Sequence, residues 1–198
     1  MARKTKTRKQ NITILLFVEG ETEQIYFSQL RSYERLTGIN VVPKLAKRSS
    51  PYYNMKYALD ASKDGVYDAI WCVFDLDIID QTKPKDYDEV YKDCKKACIL
   101  FAESLPCFEV WFLLHFIIPQ KYYKNSNAVE AELCRFLQGY CKETQWLRRS
   151  EIYSILKQYQ PTALANSKKI MTVNQKTPDP DAAFSEVYKL IESILVQS

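Results

Sequence analysis

Five acidic side chains stand where apolar runs of the chain give way to turns. Glu19 follows the run Ile12–Val18, and Gly20 lets the backbone turn sharply beside it. Glu23 lies four residues on, about one helical turn away, so the two carboxylates can face one point. Asp75 and Asp77 close a second apolar run that begins at Ala69. In an extended chain their spacing of two puts both on one face, with Leu76 turned away. Glu109 lies three residues after Pro106, which suits a first helical turn, and so falls near a helix start whose dipole favours an anion. Carboxylates crowded together repel, and they stay ionised only with a cation among them. An all-oxygen set suits Mg²⁺ or Mn²⁺ rather than zinc, and such ions serve phosphate chemistry through an activated water and neutralised phosphoryl oxygens.

Each acid also has a plainer reading. Glu19 fits a helix cap, Asp75-Leu76-Asp77 a solvated turn, and Glu109 an N-terminal acid bonding its own backbone; Glu21 and Asp80 need no more than that. Two strands delivering acids to the same sheet edge favour the metal site, since ligands of open α/β sheets sit outside the carboxyl ends of the strands. His115, about 120° around its helix from Glu109, reads as a hydrogen-bonded core residue rather than a base.

The elements that must position these groups follow from apolar periodicity. Ile12–Val18 and Ala69–Phe74 are continuous β-rich runs, the pattern of strands buried on both faces. Ile39–Leu45 reads as a further strand, at a sheet edge because of Pro43, and 97–102 as a fourth. Helices are expected over 21–36, 51–63 and 87–96, and then, with no more strands, over 106–117, 127–140, 149–159, 162–171 and 181–196. In the last, Phe184, Val187, Ile191 and Ile194 form a docking stripe. The alternation predicts an α/β fold: an open, mainly parallel sheet with helices on both faces and a helical C-terminal half. Residues 1–10 read as a basic tail, and 11–198 as a single domain with an α/β core over about 11–118 and a helical part over about 119–198.

Of 198 residues, 46% are apolar and 26% charged, which excludes disordered, collagen-like and multi-span membrane classes. Arg3, Lys4, Lys6, Arg8 and Lys9 supply +5 against a formal net charge of +4, leaving the body at −1. Such a tail touches phosphate or is simply solvated. Four glycines form neither G-x-G-x-x-G nor a Walker A loop, there is no G-x-S-x-G elbow, and one histidine leaves little room for a Ser-His hydrolase. Six cysteines include no C-x-x-C pair, so a structural zinc site is not expected and a reducing, intracellular setting is. Glu19, Glu21 and Glu23 stand where a signal peptide would need small residues. The expected location is the cytoplasm.

Phe17-Val18-Glu19-Gly20-Glu21-Thr22-Glu23 followed by Phe74-Asp75-Leu76-Asp77 is similar to the TOPRIM signature, the Mg²⁺ module of topoisomerases, primases and several nucleases. The segment from Ser104 to Phe116, SLPCFEVWFLLHF, narrows the likeness: it resembles the S-x-P-x-F-E-x-W-x-x-x-H-F segment of the RloB family. The resemblance runs from about Ile12 to the final helix. It implies a TOPRIM-like fold and a Mg²⁺- or Mn²⁺-dependent nuclease acting on DNA or RNA in bacterial anti-phage defence, beside an ABC- or OLD-like ATPase. By that likeness Glu19, Asp75, Asp77, Glu109 and Lys168 are catalytic, with Lys169 an equal fit for the last. Glu19, Glu23, Asp75, Asp77, Ser104 and Glu109 are metal ligands. Arg148, Arg149, Lys168 and Lys169 are candidates for nucleic-acid contact, and a solvated face is the equal alternative. The chain is too short for a topoisomerase. A second expectation is a regulatory or effector subunit that binds an ATPase and is inactive alone. Its docking surface would be the aromatic helical half, including Tyr122, Tyr123, Trp146 and Tyr153. Membrane association is not expected.

Overall fold

The computed structural model describes residues 12–36, 39–45, 50–76, 83–119 and 122–196. The basic tail, Asp77 and Asp80 lie outside them.

Strand β1 (Ile12–Val18) leads through Gly20 into α1 (Glu21–Glu34), which ends at Arg35 in a left-handed conformation, φ 46°. Strand β2 (Ile39–Leu45) precedes α2 (Pro51–Ser62), whose Ser50 side chain accepts from the Tyr53 N–H and whose Pro51 starts the first turn. Then come β3 (Ala69–Asp75), α3 (Tyr87–Lys96) and β4 (Leu100–Leu105). The sheet order is β2-β1-β3-β4-β5, with β1, β2, β3 and β4 parallel and β5 (Phe184–Ser185) antiparallel to β4. Pro43 sits on the edge strand, where its missing N–H costs no ladder bond.

Alternate side chains of the inner strands enter two separate cores. Ile14, Leu16, Val18, Trp71 and Val73 face one side, which α1 and the helical half cover. Leu15, Phe17, Ile70, Cys72 and Phe74 face the other, under Met55 and Ala58 of α2 and Tyr87, Val90 and Cys94 of α3. Each buried Leu or Phe contributes roughly 1.5–3 kcal/mol, so a one-residue slip of β1 would forfeit both faces together. The helical half comprises α4 (Glu109–Leu114), α5 (Ser126–Leu133), α6 (Thr144–Ser150), α7 (Ile152–Lys157), α8 (Gln160–Lys176) and α9 (Val187–Val196). In the first core Trp111 Nε1 donates to the Tyr26 hydroxyl at 2.9 Å.

Several expected boundaries shift. The fourth strand starts at Leu100, not residue 97, because Ala97 caps α3 and Cys98 takes φ 56° to reverse the chain. The helix expected over 149–159 is two: α6 begins earlier, at Thr144, and Glu151 at φ 49° breaks it from α7. The helix expected over 127–140 ends at Leu133, and Gly139 at φ 74° supports the turn beyond. The one expected over 106–117 is reduced to Glu109–Leu114, and that over 162–171 lengthens to Gln160–Lys176. The last helix starts at Val187, because Phe184 and Ser185 are drawn into the sheet by Leu105 and Ser104.

Candidate metal centre

Parallel pairing of β1 with β3 and of β3 with β4 brings the ends of three strands together. Val18 lies beside Val73, and Asp75 beside Ser104. Glu19 thus emerges next to Asp75, and its Oε2 accepts the Asp75 backbone N–H at 3.3 Å. From α1, Glu23 turns back over Gly20: a Cβ at that glycine would stand 2.8 Å from Glu23 Oε2, so the close approach requires Gly. The turn after β4 places Glu109 on the first residue of α4, with 1% of its surface exposed. Glu19 and Glu23 are also buried; Asp75 keeps some surface, but its Oδ1 is sealed from solvent.

Four carboxyl groups in one desolvated corner repel each other strongly. Burial pushes Glu23 up to about 8, with Glu109 and Glu19 adding to the rise. Burial also holds Asp75 well above the usual carboxylate range, and Glu23, Glu109 and Glu19 add to it. Among the described residues one ammonium answers them. Lys142 Nζ lies 2.9 Å from Glu109 Oε1. Burial alone would lower the Lys142 ammonium, but the Glu109 carboxylate outweighs it and the net shift is upward.

The other residues singled out in sequence are placed as follows. Ser104 is buried on the strand next to Asp75, and its hydroxyl is engaged with Ser185 Oγ at 2.9 Å. Lys168 pairs with Glu192 at 2.5 Å, between α8 and α9, and Lys169 lines a separate cavity with Tyr122 and Val173. The lysine acting on the acids is Lys142. Arg148 and Arg149 are exposed on α6. His115 is 1% exposed, its Nδ1 donates to the Trp111 carbonyl at 2.8 Å, and burial pushes it down to about 4. It is a neutral core residue. Lys142 carried no signal in the sequence: it sits in a connecting segment with no motif around it, between Tyr140 and Leu147, which are both buried in the first core.

Among the described residues no three His, Cys, Asp or Glu side chains are arranged to hold an ion as they stand. The chemistry of the corner nevertheless fits a hard divalent cation. Its donors are oxygens, they lie at the carboxyl edge of a parallel sheet, and Asp75 Oδ1 and Glu109 Oε2 are buried with no hydrogen-bond partner among the described residues. Among the described residues no helix is long and apolar enough to cross a membrane.

An open α/β sheet with carboxylates gathered at its carboxyl edge defines the class. Within it, the family model described as RloB-like protein matches residues 14–194, nearly the whole chain. The chain belongs to the RloB-like family. Comparison with curated proteins and with solved structures found no match.

Proposed function

We propose that the chain is a Mg²⁺- or Mn²⁺-dependent nuclease of TOPRIM type, serving in anti-phage defence as the family resemblance implies. The observation that carries the reading is the meeting of Glu19, Glu23, Asp75 and Glu109 at one sheet edge, with two buried carboxylate oxygens that have no hydrogen-bond partner among the described residues. A cluster of acids that costs folding energy and still leaves buried oxygens unsatisfied is the mark of a site kept for a ligand. Glu19, Asp75 and Glu109 would hold the ion, with Glu23 above them and Asp77 following Asp75 in sequence. When bound, the ion supplies an activated water and neutralises charge on the phosphoryl oxygens.

The chain's own residues prepare that chemistry. Glu19, through its bond to the Asp75 N–H, fixes the end of β3 against the end of β1. Gly20 lets the Glu23 carboxyl close over the edge. Lys142 sets its ammonium 2.9 Å from the Glu109 carboxyl and so holds that side chain at the edge. Cys107, buried beside Glu109 and Asp75, borders the acids with apolar core on one side and limits water there.

The test is cleavage of plasmid DNA, single-stranded DNA and tRNA in Mg²⁺ or Mn²⁺, together with calorimetric Mn²⁺ titration. Glu19→Gln, Asp75→Asn and Glu109→Gln are each expected to lower cleavage at least roughly a hundredfold and to weaken Mn²⁺ binding, the scale on which a transition-state electrostatic contribution acts. Wild-type cleavage by Asp75→Asn, or a wild-type chain that binds no Mn²⁺, would sink the reading. A chain that binds Mn²⁺ and cuts only after an ATPase partner is added would assign the chemistry to the assembled pair.

A further inference from the structure

One face of α1 leads away from the acids. Gln24 adjoins Glu23 in sequence, and Gln24, Ser28 and Ser32 recur at intervals of four, so they form one stripe along the helix. With Ile25, Gln29 and Arg148 they line a groove of about 450 Å³ between α1 and α6. A second hollow of about 240 Å³ shares Gln29 and Ser32 with it and continues to Tyr33, Glu151 and Ser154. The two form a track along α1 that starts at Gln24, the residue after Glu23, and runs about 14 Å, from the helical rise between Gln24 and Tyr33.

The walls are fixed. Thr144 at the start of α6 hydrogen-bonds Glu21, and Gln29 Nε2 donates to the Leu147 carbonyl while its Oε1 accepts from the Tyr153 N–H, both at 3.0 Å. The lining mixes the polar ends of Gln24, Ser28 and Ser32 with apolar surface from Ile25 and Tyr33, and its narrow, elongated form admits a chain rather than a globular partner. Over it stands the exposed Arg148, with no ion pair among the described residues. At the far end the Tyr33 ring is 53% exposed and held edge-on by Tyr153 at 5.6 Å. Glu151 also lines that end, so phosphate is favoured at the Arg148 end and a neutral base at the Tyr33 end.

We propose that this track seats single-stranded nucleic acid on its way to the acidic corner, with a phosphate under Arg148 and a base stacked on Tyr33. A cation beside a narrow channel and a stacking ring at its end are the two elements of single-strand binding without sequence readout. The inference rests on the nuclease reading of the corner and names its substrate class.

The test is anisotropy of fluorescein-labelled (dT)₈ and (rU)₈ with the full chain in EDTA, where no cleavage occurs. Tyr33→Ala is expected to weaken binding about 5- to 150-fold and Tyr33→Phe to retain it, since the ring and not the hydroxyl stacks. Arg148→Ala should reduce the slope of log affinity against log salt by about 0.7, one phosphate on a single strand. Lys189→Ala, on another face, should bind as wild type. Thermal melts of these surface variants check the fold. Wild-type affinity in both Tyr33→Ala and Arg148→Ala, equal losses in Tyr33→Phe and Tyr33→Ala, or no wild-type binding of either strand overturns the proposal. A preference between the two strands identifies DNA or RNA. Binding that depends on Tyr33 and Arg148 without cleavage in any metal keeps the track and removes the nuclease reading. Cleavage of single strands with unchanged KM in both variants does the reverse.

Discussion

Lys142 Nζ stands 2.9 Å from Glu109 Oε1 and supplies the ammonium in a corner of four carboxyl groups. Half-exposed itself, it reaches in from a connecting segment to a carboxylate on the first turn of α4. Lys142→Met would leave a buried group with its charge unanswered, at a cost of about 1–3 kcal/mol, or several degrees of Tm for a chain of this length. The double variant Lys142→Met/Glu109→Gln should recover most of the loss. Thermal melts of the four proteins in EDTA, closed as a cycle, check the coupling; strict additivity would contradict it.

Asp75→Asn should stabilise the metal-free protein while removing Mn²⁺ binding. The folded state holds protons on Glu23 and Asp75 that the unfolded chain releases near pH 4–4.5. The native state therefore binds more protons above that pH, and stability falls as pH rises until Glu23 ionises at about 8. For one proton the slope is at most about 1.4 kcal/mol per pH unit. Melting in EDTA between pH 6.5 and 8 should show the decline, and Asp75→Asn should flatten it.

His115 acts with the opposite sign. Burial holds it at about 4 against an ordinary value of 6.5, so the unfolded chain takes up its proton first. Its contribution is fully present above pH 6.5 and is lost as pH falls toward 4. Between about 4.5 and 6.5 this loss offsets the gain from Glu23 and leaves that from Asp75, so wild-type Tm should change less steeply with pH there than between 6.5 and 8. NMR titration of the His115 ring should find it neutral at pH 6; a protonated ring at that pH would contradict its assignment to the core.

Gly20→Ala separates geometry from folding. The backbone at Gly20 is extended, φ −128°, so alanine adopts it without strain. Its Cβ would meet Glu23 Oε2 at 2.8 Å and push the carboxyl aside. The expected result is a Tm within a few degrees of wild type and Mn²⁺ affinity lowered about 10- to 100-fold, the range for displacing a supporting group, read by calorimetry.

The sheet and its acids were legible because their signals are local. Ile12–Val18 and Ala69–Phe74 are apolar on both faces, and the acids at their ends follow without knowing which strands adjoin. Ser104 was legible in place but not in its bond, since its partner Ser185 lies 81 residues away on a two-residue strand too short to show a period. Lys142 was invisible for the same reason: a lysine in a connecting segment has no periodicity, and its role is conferred by contacts made across the fold. Glu151 hid the break between α6 and α7 because a left-handed residue that is not glycine leaves no mark in the sequence.

The core that backs β1 has a consequence for biosynthesis. Val187, Leu190, Ile191 and Ile194 of α9 pack into the same cluster as Ile14, Leu16 and Val18. On a ribosome, β1 and its Glu19 emerge first, yet their apolar backing is finished only when residues through Ile194 have left the exit tunnel. The acidic corner therefore matures only after α9 has been made, and a growing chain bearing Glu19 and Asp75 but lacking α9 carries its acids on a strand with an unfinished apolar backing.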